Sequence, residues 1–200
     1  MAVSDMVNGI PELVLIRHAP VLRPGILCGR TDQPARIDEL SIAGVARHVG
    51  AVDRVISSPA LRCRQTAAAL WSTCEAETDP RLWEQDFGAH DGLPYTDLPD
   101  LGPMSNAALA AYAAPGGESF EALCARARPA IVEASERAAA RSAPVALVVH
   151  AGVIRAALAC TTGDLPGALS FEIAPLSVTR LRVAADGPFA VRSVNWTAAA

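Results

Sequence analysis

The stretch ELVLIRHAP, Glu12 to Pro20, decides the reading of the fold. Leu13, Val14, Leu15 and Ile16 form an unbroken apolar run of strand length, the pattern of a parallel strand covered on both faces. Arg17 and His18 follow at its carboxyl end. In open α/β sheets ligands bind outside that edge, because successive strands deliver their loops there beside helix N-termini. The pair therefore marks a candidate site. PVALVVHAG, Pro144 to Gly152, repeats the theme: Val145 to Val149 reads as a second buried strand ending in His150, and Gly152 opens a helical stretch.

Working outward, strand and helix alternate. A Pro-, Gly- and Arg-rich loop from Ala19 to Glu39 precedes a helix in which Ile42, Val45, Ala46 and Val49 share a face, with Ser41 as the expected N-cap. A short strand, Arg54 to Ile56, runs through Ser57 and Ser58 into Pro59, where Ser-Pro predicts a helix start for ALRCRQTAAALW. A third short strand is expected near Ala76 to Thr78. The Gly- and Pro-rich segment from Ala89 to Gly117 reads as a cap insertion over the sheet edge, with a short helix around Asn106 to Ala113. Glu118 to Ala140 predicts a long helix that Pro129 would kink. Phe171 to Asn195 alternates like two strands broken by an ADGP turn. The expectation is one α/β domain, residues 1–200, in three layers α/β/α around a mostly parallel sheet.

Composition narrows the function classes. The chain has 200 residues, 51% of them apolar, enough for a full core and too many for a disordered protein. It contains no apolar run of membrane-spanning length, and Met1 to Pro11 lacks the pattern of a signal peptide, so a cytoplasmic protein without membrane association is expected. All 17 basic residues are arginine, yet the net charge is −4, which argues against a nucleic-acid partner. Five scattered cysteines with no C-x-x-C pair predict reduced, mostly buried thiols rather than a disulfide framework or zinc cluster. Oligomeric state stays open, a homodimer among the options.

Arg17, His18, Arg62 and His150 are thus expected at one sheet edge. Guanidinium groups offer planar donor forks suited to phosphate oxygens, and a helix N-terminus adds oriented N–H groups and a positive dipole end. Histidines among arginines stay neutral near physiological pH, and a neutral imidazole is a nucleophile. Either histidine alone reads as well as a structural hydrogen-bonder; their convergence favours chemistry. No His-x-x-x-His or carboxylate pair accompanies them, so neither metal nor cofactor is expected. His48 reads as solvated, His90 as part of a loop, and Trp71, Trp83 and Trp196 as packing residues.

The blocks RHAP, SSPALRCRQTA, LWEQDFG and VVHAGVIR, in that order, with PGGES before the long helix, closely resemble the histidine phosphatase superfamily, the phosphoglycerate-mutase-like fold. The resemblance implies that His18 is the nucleophile accepting a phosphoryl group, that Arg17, Arg62 and His150 bind and neutralise its oxygens, and that Glu84 is the proton donor. Arg30 and Ala151 complete the expected substrate contacts. The partner so implied is a small phosphomonoester. Two residues depart from the family pattern: Ala19 stands where glycine is usual, and Pro24 where many mutase-like members have asparagine.

PGILCGRTDQPA, Pro24 to Ala35, together with the compact insertion, is similar to the α-ribazole phosphatases of cobalamin assembly, which implies α-ribazole 5′-phosphate as substrate. Alternatives are a broad-specificity phosphatase, a mutase-type enzyme, or a non-catalytic binder of phosphorylated ligands. Between Gln85 and Gly117 the chain has no Lys or Arg but carries Asp86, Asp91, Asp97 and Asp100, and an acidic cap repels a polyanion. Phe87, Leu93, Pro94, Tyr95, Leu98 and Met104 in the same segment are expected to enclose an aromatic base, while Arg23, Arg30 and Arg36 leave room for another anionic group.

Overall fold

The two apolar runs become neighbouring parallel strands at the centre of a sheet. In the computed structural model, which describes residues 11–73 and 75–198, β1 (Glu12–Arg17) pairs in parallel with β4 (Val145–Val149), Leu15 facing Leu147 and Arg17 facing Val149. β2 (Arg54–Ser57) lies parallel on the other side of β4, and the two-residue β3 (Glu77–Thr78) extends that edge. β5 (Val178–Ala184) runs antiparallel to β1 and turns into β6 (Gly187–Trp196), so the order is β3-β2-β4-β1-β5-β6.

Helices cover both faces. Val14, Ile16, Ala146 and Val148 pack against α1 (Glu39–Val49) and α2 (Leu61–Leu70), while Leu13, Leu15, Leu147 and Val149 pack against α3 (Asn106–Ala111), α4 (Phe120–Arg141) and α5 (Ala151–Thr162). Strand side chains alternate between faces, so a strand covered on both must be apolar throughout, as these two are. Each large aliphatic side chain so buried contributes about 1.5–3 kcal/mol. The result is the three-layer α/β/α architecture.

Helix starts differ from the sequence reading. Asp38, not Ser41, caps α1, accepting from the Ser41 N–H (2.8 Å) and hydroxyl (2.6 Å). α2 opens at Leu61 with no side-chain cap on Ala60; Asp32, far off in sequence, accepts from Leu61 N–H at 2.7 Å, while Ser58 Oγ accepts from Ala60 N–H at 3.3 Å. Pro129 lies inside an uninterrupted 22-residue α4. It sits on the exposed side, where the carbonyl it leaves without a donor meets water. Residues 89–117 hold the 3₁₀ turn Tyr95–Asp97 and α3, and the end of a 3₁₀ turn at Gly88–His90.

Candidate active site

Backbone hydrogen bonds continue past the strand ends and bring the expected residues together. His18 N–H donates to Val149 O (2.9 Å) and Ser58 N–H to Val148 O (3.0 Å), so the ends of β1, β2 and β4 are tied side by side. The His18 and His150 rings then meet edge to face, centroids 5.2 Å apart. His150 lies within hydrogen-bond distance of Ser58 Oγ (2.8 Å at Nε2) and rests against Cys63 Sγ at 3.5 Å.

The orientation of His18 sets its chemistry. Its Nδ1 stands 2.7 Å from Ala19 O, and a carbonyl only accepts, so Nδ1 carries the proton. In the neutral ring the lone pair is on Nε2. Burial, then Arg62, then Arg17 hold His18 well below the ordinary histidine range, at about 3, against the opposing Ala19 hydrogen bond. Burial chiefly, with Arg62, His18 and Arg17 beside it, also keeps His150 neutral.

Two arginines face this pair. Arg17 donates to Ile173 O at 2.5 Å, and Arg62, fully buried, donates to the carbonyls of Thr31 (3.1 Å), Cys28 (3.3 Å) and Gly29 (2.8 Å). Their Nε atoms are buried with no acceptor among the described residues. Buried, unpartnered N–H donors on two cations near an unprotonated imidazole suit an oxyanion.

Glu84 is buried and its carboxylate meets the first turn of α5: Gln85 N–H donates to it at 3.0 Å and Gly152 N–H at 3.4 Å. Arg126 of α4 fixes the preceding backbone, donating to Arg81 O (2.7 Å), Trp83 O (3.1 Å) and Glu84 O (3.3 Å) while paired with Glu118. The site opens into a cavity of about 460 Å³ lined by Arg17, His18, Glu84, Ala151, Arg36 and Arg155, among others. Among the described residues no three of His, Cys, Asp and Glu gather closely enough to hold a metal ion.

The model of the histidine phosphatase superfamily, branch 1, matches residues 13–197. The chain belongs to that superfamily. Similar solved structures include mycobacterial glucosyl-3-phosphoglycerate phosphatase with VO3, at 26% identity and TM-score 0.78, covering 94% of this chain and all (100%) of the other. Phosphoglycerate mutase from Thermus thermophilus is 28% identical with TM-score 0.68, covering 92% and 98%. Phosphoserine phosphatase from Entamoeba histolytica with 3-phosphoglyceric acid, at 19% identity and TM-score 0.78 over 93% and 97%, shows likeness of fold. No curated protein sequence matches.

In this superfamily member Arg17, His18, Glu84 and Ala151 line the cavity, His150 and Arg62 lie buried beside His18 without lining it, and Arg30 is not brought to it. The Arg30 guanidinium lies 5.4 Å from a Trp83 ring centroid and pairs with Asp86 at 3.8 Å, because its loop turns the side chain outward. Trp83 and Trp196 pack against the core as expected, Trp83 nearly parallel to His150 at 6.4 Å and Trp196 stacked on His48 at 3.5 Å, so His48 is half-buried rather than solvated. Of the residues expected to enclose a base, Phe87, Tyr95 and Leu98 line this cavity or the one adjoining it; Leu93, Pro94 and Met104 line neither. His90 is more than loop, since it lines an adjoining chamber. Sequence reasoning assigned no part to Arg155, although it stands four residues after Ala151 on one helix face, a spacing that signals a shared neighbourhood. Ser58 and Arg126 carried no such signal.

Proposed function

We propose that this protein is a metal-independent phosphomonoester hydrolase that forms a phosphohistidine on His18, and that its substrate is α-ribazole 5′-phosphate. The observation that carries the chemistry is the Nδ1–H of His18 bonded to Ala19 O, which leaves the Nε2 lone pair free on a ring that feels the charges of Arg62 and Arg17. In the first step Nε2 attacks phosphorus, the P–O ester bond breaks, and Glu84 in its acid form gives its proton to the leaving oxygen. In the second, water attacks the phosphohistidine, Glu84 takes the water proton, and the N–P bond breaks. Arg17, Arg62, His150 and the N–H groups at the start of α5, Ala151 first, meet the phosphoryl oxygens.

The substrate assignment is supported by the Pro24–Ala35 loop and by a cap without lysine or arginine. Arg36 and Arg155 on the cavity wall favour a second reading, a phosphorylated acid carrying an additional carboxylate. The test is kcat/KM, with EDTA present, for α-ribazole 5′-phosphate, 3-phosphoglycerate and an aryl phosphate, on wild type and His18→Ala. A strong preference for the ribazole ester, abolished in His18→Ala, is expected. Preference for 3-phosphoglycerate would favour the second reading, and undiminished phosphate release by His18→Ala would remove the nucleophile assignment.

A further inference from the structure

A second chamber, of about 290 Å³, adjoins the phosphate cavity, and Leu27, Glu84, Phe87, Ala151 and Arg155 line both. Its far walls come from separate parts of the chain: Leu98 and Leu101 of the cap, Leu109 of α3, Tyr112 just after it, Phe120 at the start of α4 and Leu169 from the 3₁₀ turn Gly167–Ser170. Its polar lining is Glu84, Gln85, His90, Tyr112 and Arg155, and two of these are engaged with backbone carbonyls. The Gln85 side-chain amide donates to Glu118 O at 2.9 Å, and Arg155 Nε donates to Phe171 O at 2.9 Å. Glu84 stands at the boundary, and Leu101 and Leu109, which line the chamber, are each 42% exposed.

We infer that this chamber is the leaving-group subsite and takes an apolar ring system joined to the ester oxygen through a short polar linker. The inference rests on the hydrolase reading for its direction. An acid that protonates the leaving oxygen must stand next to it, so whatever that oxygen carries lies beyond Glu84, and the chamber is the space there. Its walls reward apolar surface and offer a charged tail only His90 and Arg155, the latter lining both cavities where the linker passes. Its size fits one fused ring rather than a macromolecule. Apolar side chains left open to water in a concave wall are covered once such a ring enters.

The test compares 2-(1-naphthyl)ethyl phosphate with ethyl phosphate, two alkyl esters with the same kind of leaving oxygen. Wild type should favour the naphthyl ester by about thirtyfold in kcat/KM. Leu109→Asp and, independently, Leu101→Asp should each lower that preference at least ~10-fold, since both place a charge against the ring. Both side chains are partly exposed, so circular dichroism should confirm a folded protein. Calorimetric binding of the same two esters to His18→Ala reads the subsite without turnover. If neither ester is hydrolysed but the ring ester binds more tightly and Leu109→Asp cancels the difference, the subsite stands and the hydrolase reading fails. If both esters are hydrolysed with equal kcat/KM and neither aspartate variant alters the ratio, the subsite is wrong and the hydrolase reading survives.

Discussion

Gly152 sets where the carboxylate of Glu84 can stand. A Cβ at this position would lie 2.3 Å from Glu84 Oε1 and 3.1 Å from Leu123 Cδ1, so any other side chain pushes the acid away from the helix start. Alanine is otherwise the better helix residue, by ~1 kcal/mol. Gly152→Ala should therefore keep the melting temperature near wild type and lower kcat for an alkyl phosphate by roughly 10²-fold, the typical worth of a general acid. An aryl phosphate, which needs little protonation, should lose far less. Equal losses on both esters would mean that Gly152 positions something other than the acid. At this scale the sequence was most legible at the strand ends: the placement of Arg17, His18 and His150 needed only their neighbours in the chain. Ser58 was not, because its contact with His150 spans 92 positions.

The element that joins the cap to the site is the turn Cys28–Thr31. Its carbonyls accept from Arg62, and its amides of Gly29 (3.1 Å), Arg30 (2.5 Å) and Thr31 (3.2 Å) all donate to the Asp91 carboxylate. The cap also pairs with the preceding strand-like stretch, Leu27 N–H to Leu93 O at 2.9 Å and Gly92 N–H to Leu27 O at 2.8 Å. Asp91 thus holds the turn that holds Arg62. Asp91→Ala should leave three amides without their acceptor, cost about 1–3 kcal/mol in urea denaturation, and weaken competitive inhibition by inorganic phosphate several-fold. Asp91→Asn, which keeps one acceptor oxygen, should restore part of the phosphate affinity. Unchanged phosphate inhibition in Asp91→Ala would show that Arg62 keeps its position unaided. The acidic residues of the cap were visible as a charge pattern, which points to repulsion of polyanions. That one of them is spent on backbone amides follows only from the approach of two loops 60 residues apart.

Over the whole molecule, two histidines held neutral make stability depend on pH. In the unfolded chain each ring gains a proton below its ordinary value near 6.5, while native His18 does so only at about 3 and His150 also well below 6.5. The unfolded state therefore binds more protons as pH falls, and the contribution is fully present above about 6.5 and is lost progressively toward 3. The unfolding free energy from urea denaturation should drop between pH 7.5 and 5, before the carboxylates titrate, by up to about 1.4 kcal/mol per pH unit for each such ring, and the midpoint with it. His18→Asn, which keeps a donor for Ala19 O, should flatten that slope. A level midpoint across this range would show that the rings titrate normally in the native state. By itself the sequence determined the layers of the fold and the edge where chemistry gathers, because apolar periodicity and strand-end residues are local properties of the chain. The meeting of the His18 and His150 rings, the outward turn of Arg30, the clamp at Asp91 and the apolar chamber were decided by the tertiary structure. Each depends on which carbonyl, ring or carboxylate arrives from a distant segment, and local pattern does not encode that distance.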